Sequence, residues 1–403
     1  MQRVIFHIDV NSAFLSWSAV RLMQNGQSDI RLVPSVVAGD PSDRRSIITA
    51  ASMPAKRLGI QTAQPVQQAL RVCPELVIVR ADWEWYKHCS RGFMAICRAY
   101  STVLQQFSID ECFIDMSEPC ATSAPVMLAT QLKDEVHQRL GFTVNVGIGP
   151  NKLLAKMASD FEKPNRVHTL WADEVPGKMW PLGVRSLLWV GPKTEQQLVA
   201  QGTGTIGELA CTPVEVLARA VGQRQAVLLH AYANGLDDSP VRTTPRVPKS
   251  YSAERTFPRD LVAPGDIDRA LFRVACVVAH RIRRDGVSAS TVSIFIKHSD
   301  FTVMRRQCQL QQPPRVTALI LNAARHLLGS IWDGATPLRQ VGLGVAKLSP
   351  TAEEPPSLFA DPQLGYYREW DRRYDARAHR PEDARLMAYD RTAEDDEYAP
   401  NGL

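Results

Sequence analysis

The sequence predicts an α+β protein of several domains, and three observations carry that prediction. Within the first 170 residues, setting aside an insertion at about 20–75, the apolar periods run strand, helix, strand, strand, helix, strand. That order is the split βαβ, ferredoxin-like unit, in which helices cover one face of an antiparallel sheet. A Pro- and Lys-bearing stretch, RTTPRVPKS at 242–250, then reads as a linker between a mostly helical region and a second α/β region. The length of 403 residues exceeds one ordinary core and suits two or three domains at roughly 150 residues each.

Taken in order, RVIFHID at 3–9 alternates and is rich in β-branched and aromatic residues, so it predicts a strand. A helix follows at about 14–25, a strand at 46–52 and a short helix at PVQQALRVC. Residues 83–100 carry apolar side chains at helical spacing. TVLQQF and CFIDM predict two strands, with Asp110 and Glu111 at the turn between them. A helix over 125–140 leads to the strand FTVNVGI and the helix NKLLAKMASDF, capped by Asn151. Residues 171–240 read as helical, broken at Gly191, Gly202, Gly204 and Gly207. Beyond the linker, VSIFIKHSDF predicts a strand, and 265–284 and 315–331 predict helices. From 351 onward Pro, Asp, Glu and Arg abound with little periodicity, which predicts a flexible tail.

Charge is distributed unevenly. Residues 351–403 hold 7 basic and 13 acidic residues, whereas 245–350 hold 16 basic and 7 acidic. A basic module before an acidic tail suggests a polyanionic partner. The eight cysteines form no CxxC pair and no zinc spacing, so they read as reduced thiols. MQRVIFHID lacks an apolar signal region, and no stretch reaches the roughly 18 apolar residues of a membrane span. The expectation is a cytoplasmic protein without a membrane partner.

The chemistry-bearing feature is acidic. Asp9 ends the first strand, and Asp110-Glu111 follow 101 residues later at a hairpin tip. Acidic residues commonly mark turns and exposed edges, and Asp115 on the next strand reads as structural. In a split βαβ sheet, however, the first and third strands lie side by side, so Asp9, Asp110 and Glu111 can converge. Three carboxylates together repel one another unless a hard, oxygen-seeking cation such as Mg²⁺ is present. Two such ions about 4 Å apart suit phosphoryl transfer.

Four strings, FHIDVNSAF, SIDECFIDMS, GIGPNKLLAKMASDFEKPN and LLWVGPKTEQQL, occur in an order that resembles the Y family of translesion DNA polymerases, in its bacterial polymerase IV/V-like branch. The likeness spans about residues 3–350. It implies a right-hand polymerase: a ferredoxin-like palm at 1–19 and 76–170, small fingers at 20–75, a helix-hairpin-helix thumb at 171–240, and an α/β little finger at 241–350. Residues 351–403 are left as the acidic tail.

The resemblance also implies roles. Asp9 and Asp110 would bridge two Mg²⁺ ions, with Mn²⁺ as a substitute. Glu111 would hold the ion beside the primer 3′-hydroxyl, and the Val10 carbonyl would complete the nucleotide-side ion. Phe14 stands where the family keeps an aromatic steric gate against the ribose 2′-hydroxyl. Lys163 and Lys56 match lysines or arginines that reach the incoming triphosphate. Gly191 and Lys193 lie in the thumb hairpin that grips DNA backbone. Lys249, Arg255, Lys297, Arg305 and Arg306 are candidate backbone contacts of the little finger.

One departure is Met53-Pro54-Ala55-Lys56, where the family usually has Tyr-Glu-Ala-Arg, so a triphosphate-binding hydroxyl and a bidentate fork are both missing. Asn11 and Ala13 also differ from the frequent Asp and Phe. Pro356-Ser357-Leu358-Phe359 resembles a sliding-clamp peptide without its leading glutamine, with Leu358 and Phe359 as anchors. The expected activity is low-fidelity, template-directed extension of primer-template DNA with dNTPs by a monomer. Two rivals are a mutator subunit that needs accessory proteins, and a DNA-binding or clamp-regulating protein on a degenerate polymerase fold.

Overall fold

A computed structural model describes residues 3–40, 42, 45–244, 247–310, 315–350 and 362–378, with side chains for 365–376 in the last stretch. The chain divides into two compact units, 1–245 and 246–403.

In the first unit the elements run β1 (Ile5–Val10), α1 (Ala13–Gln24), β2 (Ser35–Ala38), β3 (Ile48–Ala51), α2 (Met53–Arg57), α3 (Val66–Val72), β4 (Val77–Arg80), α4 (Trp83–Tyr100), β5 (Leu104–Gln106), β6 (Glu111–Asp115), α5 (Pro125–Leu140), β7 (Val144–Gly149), α6 (Lys152–Ser159) and β8 (Val167–Thr169). They form a five-stranded sheet in the order β5-β6-β1-β7-β8. Its first four strands are antiparallel neighbours with the arrangement of the split βαβ unit.

Alternation along β1 decides which residues face which layer. Phe6, Ile8 and Val10 join Cys112, Ile114, Val144, Val146 and Ile148 in a core against α4 and α5. Ile5, His7 and Asp9 face the opposite way. There α6 covers the sheet, and Ile5, Phe113 and Ala155 pack together. Two glycines on β7 permit this contact: a Cβ on Gly147 would lie 1.9 Å from the Ala155 carbonyl oxygen, and one on Gly149 would lie 2.8 Å from the Ala155 nitrogen. Neither position tolerates a side chain while α6 stays where it is.

The insertion after α1 is a three-stranded sheet, β3-β2-β4, with its own small core that includes Ala55, Val66 and Ala69. Because β4 pairs in parallel with β2, this layer continues past residue 75, the limit expected from the sequence. The proline of Met53-Pro54 is harmless to α2. It sits in the first turn, where no intrahelical N–H bond is lost, and Ser52 caps the helix by accepting from Ala55 N–H. Downstream, α7 (Pro192–Val199), α8 (Ile206–Cys211), α9 (Val214–Val221) and α10 (Gln223–Ala233) share a core with Leu153, Leu154 and Met157 of α6. Helix α6 thus belongs to two cores at once.

The second unit comprises β9 (Ser250–Leu261), α11 (Pro264–Arg284), β10 (Val287–His298), β11 (Val303–Gln309), α12 (Thr317–Gly329), β12 (Leu338–Pro350) and α13 (Pro362–Ala378). Its sheet runs β11-β10-β12-β9, with α11 and α12 on one face. Within 351–403, read from the sequence as an acidic, flexible tail, the described residues form helix α13, and it packs on the second unit. Asp371, only 2% exposed, accepts from Thr317 N–H at 3.0 Å and pairs with Arg283 at 3.0 Å. Asp375 takes a two-pronged contact from Arg283, at 2.7 and 2.8 Å, and lies 2.8 Å from His280 Nδ1. The Trp370 ring meets Phe272 at 5.5 Å. The helix is held by paired carboxylates and aromatic rings, not by an aliphatic stripe, so hydrophobic periodicity does not reveal it. Leu358 and Phe359 lie outside the described residues.

Gly147→Ala should destabilise the first unit by roughly 3 kcal/mol or more, since the added methyl meets backbone and not a movable side chain. Thermal or urea unfolding monitored by circular dichroism checks this; a change below about 1 kcal/mol would show that α6 can withdraw freely.

Candidate active site

Strand register builds the acidic end of the sheet. Asp9 on β1 stands directly opposite Glu111 on β6, so both leave the same face. Val10 N–H donates to the Asp110 carbonyl at 3.0 Å, which fixes the turn residue beside the end of β1. The predicted trio is therefore brought to one place. Burial raises the Asp110 carboxyl above its usual range, and the charges of Asp9 and Glu111 push the same way, against a hydrogen bond from Ser108.

Cations close the site from two sides. On α6, Lys156 Nζ donates to Glu111 Oε2 at 2.7 Å, and from beneath His7 Nε2 lies 3.0 Å from the same oxygen. Burial alone would raise the Glu111 carboxyl; the hydrogen bonds from His7 and Lys156 outweigh it and hold the pKa at about 2. The His7 imidazole is lowered by burial. From the loop after α6, Lys163 pairs with Asp9 and also with Asp160 at 2.8 Å. Burial works against the Lys163 charge, but the two carboxylates raise its pKa overall. Lys56 reaches over from α2 to donate to Ser12 Oγ at 3.0 Å, and its pKa falls through burial and the nearby Lys163 charge.

The loop that carries Lys163 is anchored by amides. Asn145, fully buried opposite Asp9, donates to the carbonyls of Ser159 at 3.0 Å and Glu162 at 2.6 Å. Its oxygen accepts from Asn11 Nδ2 at 3.0 Å, and the Asn11 oxygen accepts from Asn165 N–H at 2.9 Å. Asn11 thus has a structural task that an aspartate could not copy, because Asn11 donates as well as accepts.

Phe14 lies in the first turn of α1, half-buried. Its ring stacks on Tyr86 at 5.0 Å and meets Trp83 and Trp17 edge-on at 5.3 and 5.9 Å. Rings on three sides fix its position.

Among the described residues, no three His, Cys, Asp or Glu side chains stand together as a ready metal cage. The donor set nevertheless fits hard divalent ions. Three carboxylates lie near the adjacent ends of β1 and β6, the Asp110 carboxyl is raised by burial and then by its anionic neighbours, and lysine ammoniums take up oxygens of Asp9 and Glu111.

The remaining predicted residues are dispersed. Gly191 caps α7, and Lys193 is exposed in its first turn; the arm before it is a single 3₁₀ turn at Val184–Ser186, not a full helix. In the second unit, Phe295, Lys297 and Arg305 share the helix-free sheet face. Arg305 lies 5.8 Å over the Phe295 ring, beside a groove of about 600 Å³ lined also by Ser252, Ser293 and Gly344. Lys249 is exposed just before β9, and Arg306 is exposed on β11 but registers with the core residue Ile294, so it leaves toward the helix-covered face. Arg255 is placed differently from its expected role: it registers with Val341, a core residue, and so leaves toward the helix-covered face.

Comparison with known proteins decides the family. Residues 8–160 match the impB/mucB/samB family and residues 248–358 match the C-terminal domain of that family. A DNA polymerase IV of Clostridium acetobutylicum is 35% identical over 360 residues, covering 89% of this chain and 90% of that protein. The chain belongs to this family, the Y family of translesion DNA polymerases. DNA polymerase IV 1 of Bacillus subtilis is 33% identical over 342 residues, 85% of this chain and 81% of the relative. Among solved structures, a Y-family DNA polymerase chimera superposes with a TM-score of 0.74 at 18% identity, covering 86% of this chain and all of that one. The α+β architecture is that of Y-family polymerases, and the chain is a DNA-directed DNA polymerase of the translesion type; the reading as a degenerate binding protein is not favoured. Among the described residues no helix is long and apolar enough to cross a membrane.

Sequence reasoning missed His7, Lys156 and Asn145. A signal existed for His7, which is two residues before Asp9 and hence on the same strand face. Lys156 and Asn145 become visible only once α6 is known to lie over that face.

Asn145→Ala should cost about 2 kcal/mol or more, because it strands the buried Ser159 carbonyl and the part-buried Glu162 carbonyl and frees the loop bearing Lys163. Unfolding measurements check the stability, and a raised KM for the incoming nucleotide with unchanged DNA affinity checks the loop.

Proposed function

We propose that this Y-family chain extends a primer by two-metal nucleotidyl transfer, with the acidic end of β1 and β6 as the reacting centre. The supporting observation is the pairing of Asp9 opposite Glu111, with Asp110 alongside and Lys56, Lys156 and Lys163 drawn to the same end. Asp9, Asp110 and Glu111, with the Val10 carbonyl, would hold divalent ions, Mg²⁺ or Mn²⁺. Such ions lower the pKa of a primer hydroxyl and neutralise a departing pyrophosphate.

The chain's own groups do the rest. Lys163 and Lys56 exchange their contacts with Asp9 and Ser12 for triphosphate oxygens, and a flexible point charge suits a group that must follow moving phosphates. Phe14, braced by three aromatic rings, presents a face to the sugar that leaves no room for a 2′-hydroxyl. Lys297 and Arg305 on the open sheet face, with Lys249 and Arg306, and Lys193 beside Gly191 at α7, would track the DNA backbone without reading sequence. This reading divides the chain into palm, fingers, thumb and little finger near the limits expected from sequence, with β4 added to the fingers and α13 to the little finger. A monomer in the cytoplasm, tethered to a sliding clamp through Leu358 and Phe359, completes it.

Asp110→Ala or Glu111→Ala should reduce primer extension by roughly a hundredfold or more while leaving primer-template affinity near wild type. Primer extension over a Mg²⁺ series, with DNA binding followed by fluorescence anisotropy, is the test; near-normal extension would remove these residues from the metal site.

Phe14→Ala should raise the incorporation of ribonucleotides relative to deoxyribonucleotides by about tenfold to a hundredfold, by relieving a clash. Single-nucleotide insertion kinetics with matched NTP and dNTP measure the ratio. An unchanged ratio would place the gate elsewhere.

A further inference from the structure

His7 is wholly buried in the middle of β1, between the apolar Phe6 and Ile8 and two residues from Asp9. A buried imidazole has two nitrogens to satisfy. Here Nδ1 lies 2.8 Å from Ser159 Oγ and Nε2 lies 3.0 Å from Glu111 Oε2. The Phe113 ring, opposite His7 in register, packs 4.6 Å from the imidazole and limits its rotation.

We propose that His7 is a positioning residue for the polymerase reaction: braced by Ser159, it sets the orientation in which the Glu111 carboxylate meets a divalent cation. The inference rests on the reading of Glu111 as a metal ligand. The donor direction follows from Glu111 itself, since an ionised carboxylate only accepts, so Nε2 must carry the proton. Ser159 Oγ lies within reach of two acceptors, His7 Nδ1 and the Lys156 carbonyl, the latter at 2.7 Å. If the hydroxyl donates to Nδ1, His7 is neutral; if it donates to the carbonyl, Nδ1–H donates to Oγ. In both arrangements Nε2–H points at Glu111. Lys156 addresses the same Oε2 at 2.7 Å, so both donors hold one carboxylate oxygen and leave Oε1 for a cation. Lys156 is exposed to displacement by an arriving cation, whereas His7 is locked in the sheet. Its hold persists through the cycle.

Partners that orient a metal-binding group typically change metal affinity by 10–100-fold when removed. The test compares His7→Phe, His7→Gln and Ser159→Ala with Glu111→Gln. Mn²⁺ binding is measured by electron paramagnetic resonance on enzyme bound to dideoxy-terminated primer-template and dNTP. Single-turnover extension and DNA anisotropy are measured alongside. His7→Phe should weaken Mn²⁺ binding about tenfold and slow extension in parallel, with DNA affinity and the KM for dNTP near wild type. Ser159→Ala should act in the same direction by a smaller factor. His7→Gln, whose amide can still donate to Glu111, should restore most of the loss.

Unchanged Mn²⁺ affinity in both His7→Phe and Ser159→Ala, or a loss that His7→Gln does not recover, overturns the proposal. If His7→Phe does not fold, Ser159→Ala, which removes only a hydroxyl, decides alone. Should Glu111→Gln itself leave Mn²⁺ binding unchanged, the ligand reading fails; should it weaken binding while the other variants do not, only the role of His7 fails.

Discussion

Helix α6 lies on the sheet with no side chain between its backbone and β7 at Gly147, and the charges of the active site are placed by that contact. Protein interiors are packed too tightly for such a helix to drift, so its register over the sheet is set to a fraction of an ångström. Lys156 therefore lands on Glu111, and Ser159, one turn later, lands on His7. The loop that leaves α6 carries Lys163 back over Asp9. The other side of α6, through Leu153, Leu154 and Met157, fills a core with α7–α10. A displacement of that helical layer would be felt at Glu111 through a rigid element instead of a flexible loop.

Charge balance is the second constraint. Two carboxylates about 4 Å apart repel by roughly 4 kcal/mol at an effective dielectric of 20, so three at one sheet end require cations nearby. Lys156 and Lys163 supply them directly, while Lys56 stands a little further out on Ser12. Burial disfavours the Lys56 and Lys163 charges, and for Lys56 the neighbouring Lys163 adds to that cost, whereas Asp9 and Asp160 keep Lys163 charged. The arrangement is strained in one direction only. On the proposed reading, an incoming triphosphate would bring negative charge that relieves the Lys56–Lys163 repulsion, and divalent ions would relieve the carboxylates.

How far the sequence disclosed this follows from the range of each interaction. The strands and helices of the sheet were legible because alternation and helical spacing are local, and so were the three carboxylates, whose meeting follows from strand order in a split βαβ unit. Lys156 was not legible as a site residue, because a lysine on a helix is ordinarily solvated and only the glycine contact brings it to Glu111. Arg255 misled for a related reason. Its neighbours in SYSAERTF read as a polar, DNA-facing strand, yet alternation against β12 turns it to the helix side with Val341. Helix α13 escaped notice because its grip is a pair of aspartates on Arg283, and ion pairs leave no hydrophobic period in the sequence.

The departure at Met53-Pro54 is best weighed with the same physics. On the proposed reading, a lysine in place of an arginine fork, with no tyrosine hydroxyl nearby, would make fewer hydrogen bonds to the triphosphate. The helix that carries Lys56 keeps its position all the same, since Ser52 caps it and Ala55 is buried in the small core. Lys56 also remains on Ser12, the residue between the catalytic strand and the Phe14 helix, so its ammonium is preorganised within reach of the acidic end. What changes is specificity of contact: a point charge grips phosphate without fixing its orientation. On the proposed reading, orientation of the nucleotide would fall to the Phe14 ring clamped among Trp17, Trp83 and Tyr86, and to the Lys163 loop clamped by Asn11 and Asn145.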